Sequence, residues 1–160
     1  MSIKKGQAMP DGGFSVMTGG RPGRITTGEL FKGRKVVLFS VPGAFTPTCS
    51  NEHLPGYINN ADALKAKGVD QIACMAVNDI FVMDAWSRSA GAVDSVMMLA
   101  DGNGEYTRAL GLELDVSGFG MGMRSQRFSM VVDDGLVTEL NVEEGGGFSC
   151  SSAETALEQL

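Results

Sequence analysis

The run Val36-Val37-Leu38-Phe39-Ser40-Val41 narrows most what this chain can fold into. It is almost wholly apolar and rich in β-branched residues, so it reads as a buried strand. Pro42 stops it, because proline has no N–H to give to a strand ladder. The next segment, Thr46-Pro47-Thr48-Cys49-Ser50, reads as a helix start, with Thr46 as N-cap and Pro47 as the first helical residue. Cys49 then falls at about the third helical position, where unpaired backbone N–H groups and the positive end of the dipole gather. That field favours thiolate over thiol, and the thiolate is the form that attacks.

The rest of the chain alternates in the same way. Residues 10–24 are rich in Gly and Pro and read as turns or a weak hairpin. Residues 26–31 suggest a short helical turn, with Thr27 as a cap. Leu54, Tyr57, Ile58, Ala61 and Leu64 recur at spacings of three and four, which predicts a helix ended by Gly68 and kinked by Pro55. Residues 71–77 form a second buried strand containing Cys74. Asn78-Asp79 opens a helix whose core face is expected to hold Phe81, Val82, Ala85 and Trp86. A short strand at 96–99, a helix at 105–112 and an irregular Gly- and Met-rich stretch at 115–124 follow. Residues 128–132 and 136–142 make a hairpin across Asp133-Asp134-Gly135, and a last helix opens with the capping box Ser151-x-x-Glu154. This order predicts one α/β domain over residues 1–160: a thioredoxin-like fold with a central mixed β-sheet flanked by helices. Its active centre should lie where the first strong strand meets its helix.

Composition excludes several functions. With 43% hydrophobic and 20% charged residues, the chain can bury a full core. A net charge of -6 with no Lys/Arg cluster argues against nucleic acid. No window has the length or apolarity of a membrane span, and residues 1–10 have no apolar h-region, so a cytoplasmic protein is expected. Three cysteines, Cys49, Cys74 and Cys150, are too few for a disulfide scaffold, and no C-x-x-C is present. The single histidine, His53, cannot build a His-rich metal site, so no metal is expected.

Cys49 is the candidate nucleophile, with Thr46 placed to hydrogen-bond its sulfur or a bound oxygen and Pro42 placed to shield it from water. Arg127 opens the strand Arg127-Phe128-Ser129-Met130-Val131-Val132, where it is either a solvated edge charge or a permanent cation beside the thiolate. His53, four residues after Cys49, reads as a hydrogen-bonded packing histidine rather than as the base of a Cys–His hydrolase. Phe45, Phe119 and Met121 are expected as an apolar rim around the pocket. Cys150, beside Gly145-Gly146-Gly147, is placed like a thiol that travels, and Cys74 like a buried inert one.

These motifs together resemble a known family. Pro42-x-x-x-Thr46-x-x-Cys49 is similar to the peroxiredoxin active-site pattern. The run Val41 to Ser50, then His53-Leu54-Pro55-Gly56, Val77-Asn78-Asp79, residues 110–115, Arg127-Phe128-Ser129-Met130 and Leu140-Asn141-Val142-Glu143 resemble its type II or peroxiredoxin-5-like members over nearly the whole chain. The resemblance implies a thioredoxin fold, no cofactor, a homodimer, and reduction of hydrogen peroxide and alkyl hydroperoxides. It makes Cys49 the peroxidatic cysteine, with Thr46, Arg127 and Pro42 around it. It also implies a thiol reductant: glutathione, glutaredoxin or thioredoxin. Residues 118–127 look like those of plant and bacterial members that use glutathione or glutaredoxin. Cys150 lies in a segment like that of the mammalian-type resolving cysteine, while Cys74, 25 residues after Cys49, matches a plant-type spacing. The expected order is external resolution, then Cys150, then Cys74. The alternative is a peroxide sensor or redox-switch binding protein that uses the same oxidation of Cys49.

Overall fold

In the computed structural model, which describes residues 1–145 and 147–160, the chain opens with the hairpin β1 (Gly13–Thr18) and β2 (Arg21–Thr26). The single-turn helix α1 (Thr27–Phe31) leads into β3 (Lys35–Ser40). A wide helical turn, Cys49–His53, runs on as α2 (Leu54–Asn59) and α3 (Ala61–Ala66). Then come β4 (Gln71–Ala76), α4 (Ile80–Ala90), β5 (Met97–Ala100) and α5 (Glu105–Leu110). The short ribbon β6 (Glu113–Asp115) and β7 (Met123–Ser125) precedes β8 (Phe128–Asp133), β9 (Leu136–Val142) and α6 (Ala153–Glu158).

Seven strands form one mixed sheet in the order β2-β1-β5-β4-β3-β8-β9. Strands β3, β4 and β5 are parallel, as their helical crossovers require. The C-terminal hairpin joins β3 antiparallel, and the N-terminal hairpin joins β5 antiparallel. The period of two along each strand splits the core in half. Val37, Phe39 and Val41 face α2, α3, α4 and α6 together with Ile72, Cys74 and Ala76. Val36 and Leu38 face α1 and α5 with Ala73, Met75, Phe128 and Met130. Two covered faces explain why β3 and β4 read as apolar runs instead of alternating ones.

The thioredoxin-like α/β architecture expected from the sequence is therefore present. Several local readings need correcting. Thr26, not Thr27, caps α1, in a full capping box with Glu29; Thr27 is buried and accepts from the N–H of Gly12. The buried face of α4 is Ile80, Met83, Trp86 and Ser87, while Phe81 is 64% exposed. Asp79 accepts from the N–H of Val82 and starts the helix at Ile80, and Trp86 is fixed by donating Nε1 to Ser50 Oγ at 3.0 Å. The helix after Cys49 breaks at Asn60 into α2 and α3. Pro55 makes no interior kink: the wide turn ahead of it, closed by Leu54 N–H to Cys49 C=O, absorbs the missing donor. Ser151 does not cap α6. Ser152 does, accepting from the N–H of Thr155 at 3.2 Å, because Ser151 is held by Glu143.

That last correction gives a test. Ser152→Ala should cost about 1 kcal/mol, the usual loss for a serine N-cap, read as a lower urea midpoint. An unchanged midpoint would show that α6 is not capped there.

Candidate active site

The topology brings Cys49 and Arg127 together. Strand β8 runs antiparallel to β3, with Ser40 opposite Phe128. Arg127, just before β8, therefore lies beside the end of β3, where the chain turns into the Cys49 helix. The side chain is buried, with the residue 5% exposed, and Cys49 is fully buried. Arg127 donates from one terminal nitrogen to Cys49 Sγ at 3.2 Å and from the other to His53 Nδ1 at 2.9 Å. Its Nε is the one buried side-chain nitrogen or oxygen without a partner among the described residues. Ion pairs among those residues occur only as Lys5–Glu139 and Asp84–Arg88, so no carboxylate neutralises this guanidinium. Arg127 thus presents a permanent cation and an N–H donor to the buried sulfur.

His53 sits one wide turn after Cys49, on the same side. Its Nε2–H donates to the Ser151 carbonyl at 3.0 Å, and a carbonyl can only accept. The proton is thus on Nε2, and Nδ1 is bare toward the guanidinium, which can only donate. Burial and the charge of Arg127 push the imidazole down to about 3, against smaller opposing effects of the Ser151 carbonyl and Glu143. The rings of Phe39 and Phe148 flank it at 4.9 and 5.0 Å, and Phe148 also lies 5.8 Å from the Arg127 guanidinium carbon.

Glu143 organises the far side. It follows β9, and its N–H donates to the Arg127 carbonyl at 2.9 Å. Its carboxylate accepts from the N–H groups of Ser149, Cys150 and Ser151 and from the hydroxyls of Ser149 and Ser151, the last at 2.6 Å. Burial pushes this carboxyl up, but those donors outweigh it and bring it down to about 2. Tyr57 OH also donates to the Ser151 carbonyl at 3.0 Å. The segment 149–151 is therefore fixed on both its N–H and its C=O sides.

The loop over the sulfur is built separately. Thr46 caps with its backbone: its carbonyl takes the first helical bond, from Ser50 N–H. Its hydroxyl donates to the Gly43 carbonyl at 2.7 Å rather than to sulfur. Phe45 has φ 65°, in the left-handed region, which costs a non-glycine residue about 1 kcal/mol or more. The loop is held there by Ala44 N–H donating to Asn78 Oδ1 at 2.9 Å. Gly43 is buried, and a Cβ there would lie 3.2 Å from the Thr46 methyl and 3.3 Å from the Met121 methyl. Met121 thus reaches the loop, Pro42 is half-buried behind it, and Phe45 is 53% exposed. Phe119, 85% exposed, points to solvent and does not close over Cys49.

Cys74 is fully buried in β4, and burial and the neighbouring Cys49 push its thiol up. Cys150 is half-buried, its N–H tied to Glu143, and burial and that carboxylate push its thiol up as well. Of the glycines read as mobile beside Cys150, Gly146 lies outside the described residues; the segment from Ser149 on is anchored. Sequence reading missed Glu143, Phe148, Tyr57 and the Ser151 carbonyl as parts of the site. Glu143 had one available signal: an acidic residue ending an apolar strand, just before consecutive polar residues.

A family model described as Redoxin matches residues 4–157. The chain is 53% identical to peroxiredoxin-2C of Oryza sativa, covering 99% of this chain and 98% of that one. It is 49% identical to the chloroplastic peroxiredoxin-2E of Arabidopsis thaliana, covering 99% and 70%. Among solved structures it is similar to reduced Prx3 of Vibrio vulnificus in complex with hydrogen peroxide, at TM-score 0.94 and 54% identity over 98% of each chain.

The buried neutral imidazole predicts how acid acts on stability. The folded state holds His53 at about 3 against its ordinary 6.5, so below about pH 6.5 only the unfolded chain takes up that proton. Stability should fall by about 1.4 kcal/mol per pH unit on acidification. Glu143 acts in the same direction, but only below its ordinary value of 4.5. As the chain has one histidine, the slope between about pH 6 and 5 belongs to His53. Urea denaturation across that window should show it in the native chain and not in His53→Asn; a flat native profile would contradict the arrangement.

Proposed function

The chain belongs to the peroxiredoxins, thiol-dependent peroxidases, and from that premise we propose that it reduces hydrogen peroxide and alkyl hydroperoxides through a sulfenic acid on Cys49. The observation that carries this reading is the buried Arg127 guanidinium, donating to Cys49 Sγ at 3.2 Å with Nε still free. The thiolate attacks one peroxide oxygen, and the S–O bond forms as the O–O bond breaks. The electron pair of that bond leaves with the second oxygen, which takes up a proton and departs as water or an alcohol. Arg127 serves twice: it donates to the attacking sulfur, and its Nε–H, without a partner among the described residues, is available to the oxygen on which charge develops. Thr46 shapes the loop through Gly43, and its hydroxyl oxygen can still accept from a protonated peroxide oxygen. Pro42 and Gly43 pack the loop and limit water at the sulfur. The reading needs no cofactor.

A thiol then attacks the sulfenic sulfur, water leaves and a disulfide forms. Glutathione or glutaredoxin is our first choice of reductant, thioredoxin the next. Cys74 in the middle of a strand and Cys150 tied to Glu143 would each have to leave their hydrogen bonds or packing to reach Cys49. That cost favours an external thiol. A homodimer is in keeping with the exposed apolar residues Phe45, Phe119 and Met123. Three free thiols suit a reducing compartment, which we take to be the cytoplasm; two plant relatives are named as chloroplastic.

Cys49→Ser should abolish peroxide consumption, and Arg127→Ala should lower the second-order rate constant by about 100-fold or more. Mass spectrometry after one equivalent of peroxide with glutathione should find a mixed disulfide on Cys49. A Cys49–Cys150 bridge would reverse the order of resolution, and oxidation without turnover under any thiol would make the chain a sensor.

A further inference from the structure

The buried guanidinium raises a question that peroxide chemistry alone does not answer: what aims it. An arginine side chain has many rotamers, and orienting it usually falls to a carboxylate. Here a carboxylate would cancel the charge that the thiolate needs and compete for the same donors. Among the described residues no Asp or Glu lies within ion-pair distance of Arg127. The acceptor in that place is His53 Nδ1, at 2.9 Å. It is an acceptor without charge.

We infer that His53 is a positioning residue for the peroxidase reaction: as a neutral imidazole it holds Arg127 on Cys49 Sγ, and it does so from the Ser151 carbonyl. The inference rests on the proposed function of Cys49 and Arg127. Four observations support it. The partners on either side of the ring fix one tautomer, donor at Nε2 and acceptor at Nδ1. The ring is fully buried between Phe39 and Phe148 and close to Tyr57, so it has no freedom to turn. The carbonyl it leans on is itself held by Tyr57 OH, while Glu143 holds the N–H and hydroxyl of the same residue. Finally, burial and the guanidinium keep the ring uncharged through the physiological pH range, so it never repels the cation it orients.

A merely structural histidine and a positioning one predict different results. Asn at 53 places its Oδ1 roughly where Nδ1 is, so it can accept from Arg127 but does not reach Ser151. Gln can reach Ser151 with its N–H but carries no acceptor where Nδ1 was. Phe keeps the volume and loses both. The second-order rate constant for Cys49 oxidation by hydrogen peroxide would be measured by rapid quench and mass spectrometry on the full chain, with thermal melts alongside.

The expected result is a loss of about 10- to 100-fold in His53→Phe, the size of one hydrogen bond to a charged group. His53→Asn should recover most of that loss and His53→Gln little of it, whatever their order of stability. In an Arg127→Ala background, His53→Phe should change the rate by less than about threefold, since there is no guanidinium left to orient. Equal rates in the Asn and Gln variants, or a full His53→Phe effect without Arg127, would overturn the inference. Should the Phe variant not fold, the Asn and Gln comparison still decides. A native chain that consumes no peroxide would instead remove the proposed function itself.

Discussion

A guanidinium buried beside a sulfur, with no carboxylate within ion-pair distance among the described residues, is the constraint from which the rest of this site follows. Burying a charge without a partner is expensive, and a protein does it only where the surroundings supply hydrogen bonds and the charge has work to do. Arg127 meets both conditions. Its strand is clamped between β3 and β9, which fixes the backbone. Its terminal nitrogens are taken by Cys49 and His53, and its Nε has no partner among the described residues. The one side-chain sulfur within reach of the cation is that of Cys49, at 3.2 Å, so the geometry ties the placement of the arginine to that of the cysteine.

Much of this was legible in the sequence. The buried strand, the turn after it and the cysteine in the first helical turn follow from residues 36–50 with no other information. The order of strands and helices fixed the layer architecture, and the hairpin at 128–142 was placed almost to the residue. Arg127 was recognisable as a cation at the head of an apolar strand. Whether it faced solvent or the sulfur depended on β8 pairing with β3, a contact between distant parts of the chain that no local pattern contains. The same holds for His53: spacing put it on the face of Cys49, but its partner is an arginine 74 residues away.

The misread details share a physical reason. Local pattern finds a cap by residue type, and Ser151 and Ser152 are equally good by that rule; the carboxylate of Glu143, reaching across from β9, decides between them. Thr46 was placed correctly as the residue before the helix, yet its hydroxyl goes to the Gly43 carbonyl, which the turn brings back beside it. On α4 the apolar residues outnumber the places available in the core, so Phe81 is left outside. In each case the local pattern leaves more than one arrangement open, and contacts in the folded chain choose one.

One contact described with the fold has a practical meaning. Trp86 is the chain's single tryptophan, is nearly fully buried, and bonds the hydroxyl of Ser50, the residue after Cys49. Any unwinding of that first turn must release the indole N–H and change its polarity. An opening of the turn that bears the sulfur would therefore be readable in the chain's ultraviolet emission, without a label.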